Sequence, residues 1–574
     1  MQAPWLAHYD PGVPRAIGRS PEKTLVDFVA EHARRPHAVA ATFKTTRLTF
    51  ARLDELSDAL AAALARDGVK QADRVGLVLP NVPQFLIAEC AAWKLGAIVA
   101  PQNPLYTVRE LEDSFAISQP EVVITLTPFY ERVKQAQQKG GFRRVIATSI
   151  KEHLPPMLRL LFALLKERRE GHRITLRPGD GWLQSLIAQG KSSTKPQPAA
   201  TPSDPAVILM SGGTTGTPKG VLSDHRSLVQ SGTQLLAWLR EPLDREDASI
   251  LLPLPLFHTY GCAGAQPMTL IAGIPLALVP NPRDVSDLLA TIAREKPAIL
   301  CGVPTLFNAI LNHPRVARGR VDLGSISGCF SGASALMAET KTRFEALTGG
   351  RIVEGYSLTE ATMACCANPF RGRNKPASIG VPICDVKVKV VDAGDGKTPM
   401  APGEVGEILL SAPQLMKGYW EDPEETALVL EPAEDGPWLR TGDLGSMDED
   451  GYLFVVDRKK DLIKVSGFQV WPREIEEVIA GHPAVAEVGV AGVPDPRRGE
   501  AIHAWVVLRT GAAVTEDELR AFCRERLAPF KVPGRIRFSP ELPKTMVGKI
   551  LRRVLVERAL TETIVSAARD TPSS

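Results

Sequence analysis

The chain has 574 residues, 44% of them hydrophobic and 23% charged, ordinary proportions for a globular protein of more than one domain. Its formal net charge of +3 is small for that length and gives no support to nucleic-acid binding as the main activity. Eight cysteines are scattered along it without a C-x-x-C pair, which argues against structural zinc and for a reducing setting.

The first twenty residues lack the apolar stretch of a secretory signal, and no apolar run reaches the length of a membrane span, so a cytoplasmic location is expected. Phe50–Asp67 has apolar residues at helical spacing, and RVGLVLP (74–80) is a short apolar run ended by proline, the mark of a buried strand. Pro83–Lys94 predicts a second helix and Ala97–Ala100 a second strand. Strands alternating with helices imply an open, mostly parallel α/β sheet.

Lys151–Arg173 stands apart, with Leu154, Met157, Leu158, Leu160, Leu161, Phe162, Leu164 and Leu165 beside Arg159, Lys166, Arg168 and Arg169. The plainer expectation is a core-facing helix with charged flanks. The other is a basic amphipathic helix lying on a membrane surface. SSTKPQPAATPSDP (192–205) reads as a surface connector. A second α/β stretch runs from Ala206 to about Gly380. Short β-type runs such as Val386–Val391 and Gly406–Leu410 then suggest a small sheet or distorted barrel. From about Lys460 the runs Ile475–Ile479, Val485–Val490, His503–Leu508, Glu516–Leu527 and Ile536–Phe538 predict a separate α+β domain.

The sharpest feature is VILMSGGTTGTPKG (207–220), an apolar strand entering a loop rich in glycine and threonine and closed by Lys219. Glycine lets backbone N–H groups turn toward an anion. Hydroxyls add donors, and a lysine supplies a point charge. Polyphosphate binding is the chemistry implied. The pattern is neither a Walker A loop nor G-x-G-x-x-G, because Pro218 precedes the lysine and Gly220 follows it.

SGGTTGTPKG (211–220) resembles the phosphate loop of the adenylate-forming superfamily of acyl-CoA synthetases, luciferases and peptide-synthetase adenylation domains. Its Gly212-Gly213 doublet is most like bacterial long-chain fatty-acid–CoA ligases. Companion motifs follow in the family's order. They are PLPLFHTYG (253–261), EGYSLTE (354–360), WLRTGDLG (438–445), VDRKKDLIKVSGF (456–468) and PKTMVGKILRR (543–553).

The resemblance implies an α/β fold, with a large N-terminal domain (1–457) of two α/β sheet subdomains plus a small distorted β-barrel. A small mobile α+β C-terminal domain (458–574) would follow. It implies nucleotide contacts from Ser211, Gly212, Gly213, Thr214, Thr215, Gly216, Lys219, Ser331, Gly332, Ala333, Glu354, Gly355, Tyr356 and Ser357. Thr214 and Glu360 would hold Mg²⁺, Thr359 would touch the α-phosphate, and His258 would lie near the reacting carboxylate. Asp443 would accept from the ribose, and Arg458 would contact ribose or phosphate. Lys460 would be a hinge, Lys464 and Gly467 would lie on the segment that meets coenzyme A, and Lys549 would be the adenylation lysine. ATP, Mg²⁺ and coenzyme A are the implied cofactors, and a fatty acid the implied substrate. Membrane contact through 151–173 and a homodimer are the further partner expectations.

NPLYTVRELE (103–112) and Trp5 with YDPGVP (9–14) also resemble the fatty-acid ligases. Two departures bear on the acid. Ser357 replaces the family's usual glycine, and Cys262 stands where some long-chain relatives carry a gate tryptophan. An aryl acid, or a carrier protein in place of coenzyme A, remains the alternative within the class. A luciferase-type oxygenase or a non-catalytic nucleotide- or lipid-binding descendant is the alternative outside it.

Overall fold

Local signals along the chain fix the helix starts in a computed structural model that describes residues 3–18, 20–192, 199–211, 218–332, 336–465, 468–495, 498–545 and 548–569. The Thr49 hydroxyl accepts from Arg52 N–H and opens the helix Phe50–Arg66. Thr107 and Glu110 form a capping box at Val108–Ser118, and Pro83 begins Pro83–Lys94. All twelve residues of Pro83–Lys94 are buried, so that helix is core on every face.

The described residues divide into two compact units, the first holding most of the chain to Lys387 together with Leu410–Leu439, and the second Val388–Leu409 with the chain from Arg440 onward. In the first, an eight-stranded sheet is ordered Gly418–Tyr419, Lys219–Asp224, Pro205–Ser211, Ile98–Pro101, Arg74–Val78, Val122–Leu126, Arg144–Thr148, Gly181–Trp182. Its strands from Pro205–Ser211 through Gly181–Trp182 are parallel. A nine-stranded sheet runs Val381–Pro382, Met363–Ala367, Arg351–Leu358, Gly328–Ser331, Ile299–Gly302, Ile250–Leu252, Leu276–Leu278, Val39–Phe43, Thr46–Thr49.

The second unit carries the antiparallel strands Trp438–Met447 (from Arg440 on) and Leu453–Arg458, then a smaller α+β layer. Strands Val485–Asp495 and Gly499–Leu508 form a long hairpin beside Ile463–Val465 and Arg535–Phe538. The helices Pro472–Ala480 and Glu516–Arg524 pack on it through Ile475, Ile479, Leu519 and Cys523. The mixed α/β architecture, with large N-terminal sheets and a smaller C-terminal part, is the one the sequence implied.

One expectation fails. Lys151–Arg173 holds a helix only at Pro156–Leu165, and that helix does not face the core, since Phe162 is its one buried residue. No helix among the described residues is long and apolar enough to cross a membrane. All eight cysteines are buried as free thiols.

Candidate active site

Four adjacent strands of the nine-stranded sheet are parallel: Ile250–Leu252, Ile299–Gly302, Gly328–Ser331 and Arg351–Leu358. Their carboxyl ends therefore lie at one edge, where open α/β sheets bind ligands. Gly302, Ser331 and Glu354 are direct register partners there. Gly332 leaves the third strand, and Tyr356, Ser357, Thr359 and Glu360 continue the fourth into a turn.

His258 follows the first of these strands. Its Nδ1 accepts from Tyr260 N–H at 3.3 Å, which leaves Nε2 to carry the ring proton. Tyr260–Ala265 is a π-helical turn, and the Tyr260 hydroxyl donates to Phe330 O at 2.6 Å. Close approach demands glycine twice. A Cβ at Gly261 would lie 2.3 Å from Pro255 O, and one at Gly355 would lie 2.2 Å from the Phe330 ring. Behind the π turn, the buried Glu89 accepts from Gln266 Nε2 and lies 3.7 Å from Cys262 Sγ. Burial pushes the Glu89 carboxyl up to about 8. A neutral acid thus joins the helix Pro83–Lys94 to the segment that follows His258.

The glycine-rich loop is a hairpin connection and does not open a helix. Pro205–Ser211 and Lys219–Asp224 pair antiparallel with Ser211 opposite Lys219, and Ser211 Oγ accepts from Lys219 N–H at 3.3 Å. The predicted residues Gly212, Gly213, Thr214, Thr215 and Gly216 lie outside the described residues, as do Ala333 and Gly467.

Lys219 Nζ sits 2.5 Å from Glu425 and 4.7 Å from the centre of the Tyr419 ring. The Tyr419 hydroxyl donates to Glu360 Oε1 at 3.1 Å. Burial and then the Glu360 charge push that phenol up, so it stays a donor. One tyrosine therefore ties the phosphate-loop lysine to the predicted metal carboxylate. Lys219 and Tyr419 also line a hollow of about 240 Å³ with Pro218, Gly220 and Trp420.

The turn holding Glu360 is itself constrained. Thr362 and Met363 take φ of +53° and +116°, and the Thr362 hydroxyl hydrogen-bonds Ser223 at 2.8 Å. Sequence reasoning missed Tyr419 and Glu425 because the two-residue strand Gly418–Tyr419 carries no periodicity. Its pairing with Lys219–Asp224 is visible only in the fold.

In the second unit Asp443 and Arg458 are cross-strand partners, with Arg458 Nε 3.0 Å from Asp443 Oδ1. Lys460 is exposed in the short turn Lys459–Asp461, and Lys464 is exposed on Ile463–Val465. Lys549 ends a tight loop in which Thr545 N–H donates to Lys549 O at 2.8 Å and Gly548 has φ +82°. Burial, then Arg458, lowers the Lys549 ammonium to about 8, while Asp443 and Asp461 pull it back up. Asp443, Arg458, Lys460 and Lys549 are thus one electrostatic group.

Arg552, also missed from sequence, braces that group. It reaches Glu476 at 2.9 Å, Asp461 at 2.9 Å and Val490 O at 3.0 Å.

A parallel sheet edge that gathers a histidine, a serine and two glutamates, in a chain with a glycine-rich hairpin loop, is the architecture of a nucleotide-dependent enzyme. The family model "AMP-binding enzyme" matches residues 28–420, and "AMP-binding enzyme C-terminal domain" matches 474–549. The chain belongs to the AMP-binding enzyme family. It is 40% identical over 97% of its length to the long-chain-fatty-acid–CoA ligase of Bacillus subtilis (strain 168), 98% of which is covered. It is 35% identical over 97% of its length to that of Salmonella typhimurium, with 99% of that protein covered. Among solved structures, ATP-bound MatB from Rhodopseudomonas palustris matches with a TM-score of 0.79 at 28% identity, covering 94% of this chain and 99% of that one.

Glu89 makes a stability prediction. Its carboxyl rises from 4.5 to about 8 on folding, so the folded state binds the extra proton between those values. Stability falls as pH rises through that window and levels off above it, by on the order of 5 kcal/mol. Glu89→Gln keeps the shape and removes the ionisation. In thermal scans its Tm should exceed that of the parent at pH about 9 and match it near pH 5. Parallel Tm curves for the two proteins would refute a neutral Glu89.

Proposed function

We propose that this chain is an ATP-dependent, AMP-forming fatty acid–CoA ligase for medium- to long-chain acids. The observation that carries the proposal is the convergence at one sheet edge of His258, Ser331–Gly332 and Glu354–Glu360, motifs far apart in sequence. The full-length likeness to two fatty-acid ligases supports the choice of acid.

In the first step the acid's carboxylate oxygen attacks the α-phosphorus of ATP. A new O–P bond forms, the bond to pyrophosphate breaks, and pyrophosphate leaves with its electron pair. In the second step the coenzyme A sulfur, after losing its proton, attacks the acyl carbon. The thioester forms and AMP departs. The protein forms no bond of its own, so its work is positioning and charge neutralisation.

On this reading His258 offers its Nε2–H to the reacting carboxylate. Tyr356 and Gly355 flank the nucleotide with Ser331, Gly332 and Glu354. Lys219 and the loop 211–220 take the β- and γ-phosphates. Thr359 and Glu360 stand at the α-phosphate end. The Glu360 carboxylate, oriented by Tyr419, is a hard oxygen donor of the kind Mg²⁺ prefers, with Thr214 as its expected companion. When bound, the ion neutralises phosphate charge. Asp443 accepts from the ribose hydroxyls and Arg458 fixes its carboxylate. Lys549 lies across the carboxylate and α-phosphate oxygens during adenylation.

We place the boundary between an N-terminal domain (1–457) and a mobile C-terminal domain (458–574) after Asp457, with the hinge at Lys460. The two family models stop at 420 and resume at 474, and Lys460 lies between them. Rotation there removes Lys549 and brings Lys464 and Gly467 toward coenzyme A. The enzyme is assigned to the cytoplasmic face of a membrane, an assignment supported by the exposed apolar helix Pro156–Leu165.

Lys549→Ala should cut acyl-AMP formation, measured as pyrophosphate release, by about a hundredfold or more. It should largely spare thioester formation from supplied acyl-AMP, and equal loss in both half-reactions would overturn the two-step assignment. The ammonium is the working form, so adenylation kcat/KM should fall as pH rises through about 8. The thioester half-reaction should lack that limb.

Tyr419→Phe deletes the hydroxyl that orients Glu360. It should lower kcat/KM for ATP about ten- to a hundredfold, the worth of one hydrogen bond to a charged group, with KM for the acid unchanged.

A further inference from the structure

The helix Pro156–Leu165 is built the wrong way round for an ordinary surface helix. Such a helix places polar residues opposite its buried side. Here Phe162 is buried, and the stripe away from it is Met157, Leu160, Leu161 and Leu164, at i, i+3, i+4 and i+7. These four are 68%, 57%, 44% and 72% exposed. Fourteen large hydrophobic side chains are exposed among the described residues, and six of them belong to this one short helix. A concentrated apolar patch of this kind marks an interaction surface.

The patch is held in place. Phe162 packs edge-on against His172 at 5.0 Å, and His172 Nδ1 hydrogen-bonds the Thr127 hydroxyl at 2.8 Å. Lys151 pairs with Glu167, and Glu167 N–H donates to Phe162 O.

Charge selects the partner. Residues 151–173 contain six Lys/Arg against three Glu, a net +3 equal to that of the whole chain. Arg168, Arg169 and Arg173 are exposed just beyond the helix and carry no ion pair among the described residues. A second copy docked on this face would bring two +3 segments together, which like-charge repulsion opposes. An anionic surface with an apolar layer beneath it matches both features.

We propose that Pro156–Leu165 is a monotopic membrane-docking element. Met157, Leu160, Leu161 and Leu164 enter the boundary between headgroups and acyl chains of an anionic bilayer. Arg168, Arg169 and Arg173 lie among the headgroup phosphates. Binding to the bilayer stands apart from the identity of the acid. Its benefit to catalysis rests on the fatty-acid reading, because a long-chain acid is stored in the bilayer that the helix touches.

The full-length protein should sediment with vesicles of equal parts phosphatidylcholine and phosphatidylglycerol, weakly with phosphatidylcholine alone, and less at high salt. The quadruple variant Met157→Gln, Leu160→Gln, Leu161→Gln, Leu164→Gln alters only exposed side chains, and an unchanged circular dichroism spectrum would verify its fold. It should lose at least about tenfold in vesicle affinity. Arg168→Gln, Arg169→Gln, Arg173→Gln should weaken binding and flatten its salt dependence.

In thioester assays the quadruple variant should match the parent on octanoate in solution and fall behind on oleate supplied in anionic vesicles. A parent that stays in the supernatant, or a quadruple variant that binds vesicles as the parent does, overturns the proposal. So does a parent dimer that the variant converts to monomer without any vesicle binding by either. If neither protein uses octanoate or oleate while the vesicle difference stands, the fatty-acid reading fails and the docking element survives.

Discussion

The arrangement rests on one constraint: parallel strands in a single sheet must all end at the same edge. Each crossover returns the chain to the start of the next strand, so every strand delivers its following residues to one side. That is how His258, Gly302, Ser331 and Glu354, spread over about a hundred residues, come to neighbouring positions. The register Gly302–Ser331–Glu354 then leaves little freedom. A shift by one residue would turn each side chain to the opposite face of the sheet. The glycines at 261 and 355 are a consequence, since strands and the π turn approach too closely there for a Cβ.

The eight-stranded sheet solves a different problem. Its glycine-rich loop joins two antiparallel strands, so the loop's anchor residues, Ser211 and Lys219, face each other across a ladder. The tiny strand Gly418–Tyr419 pairs with Lys219–Asp224 and brings Tyr419 between Lys219 and Glu360. A phenol suits that place because it can receive a cation on its face while donating its proton to a carboxylate.

Much of this was legible in the sequence, for a physical reason. RVGLVLP, Pro83–Lys94 and Phe50–Asp67 carry their own periodicity and punctuation, and they form Arg74–Val78, Pro83–Lys94 and Phe50–Arg66. The motif residues were legible because their chemistry is unusual in composition. What could not be read is pairing at a distance. Val39–Phe43 joins the nine-stranded sheet through Leu276–Leu278, and nothing local announces that partner. Tyr419, Glu425 and Arg552 act through residues remote in sequence, and alone each looks like an ordinary surface side chain. Pro156–Leu165 misled in the opposite direction. Its leucines predict a core helix, because periodicity reports that a face is apolar and says nothing of what covers it.

Arg552 gives the proposed hinge its mechanical sense. Its guanidinium holds Glu476 and Asp461 at hydrogen-bond distance, and Asp457 stands farther off at 3.7 Å. Lys460 thus lies between two carboxylates that one arginine grips unequally. A rotation about Lys460 can keep the bonds to Asp461 and Glu476, which belong to the moving side. It must give up the 3.7 Å contact to Asp457 and also the bonds Arg473 makes back across the boundary, its N–H to Asp457 at 2.9 Å and its guanidinium to Val455 O at 3.0 Å. A charge pair at 3.7 Å without a hydrogen bond costs little to break compared with a bonded, half-buried one. Lys549 lies three residues before Arg552, so in the proposed rotation it would travel with the residues that Arg552 holds.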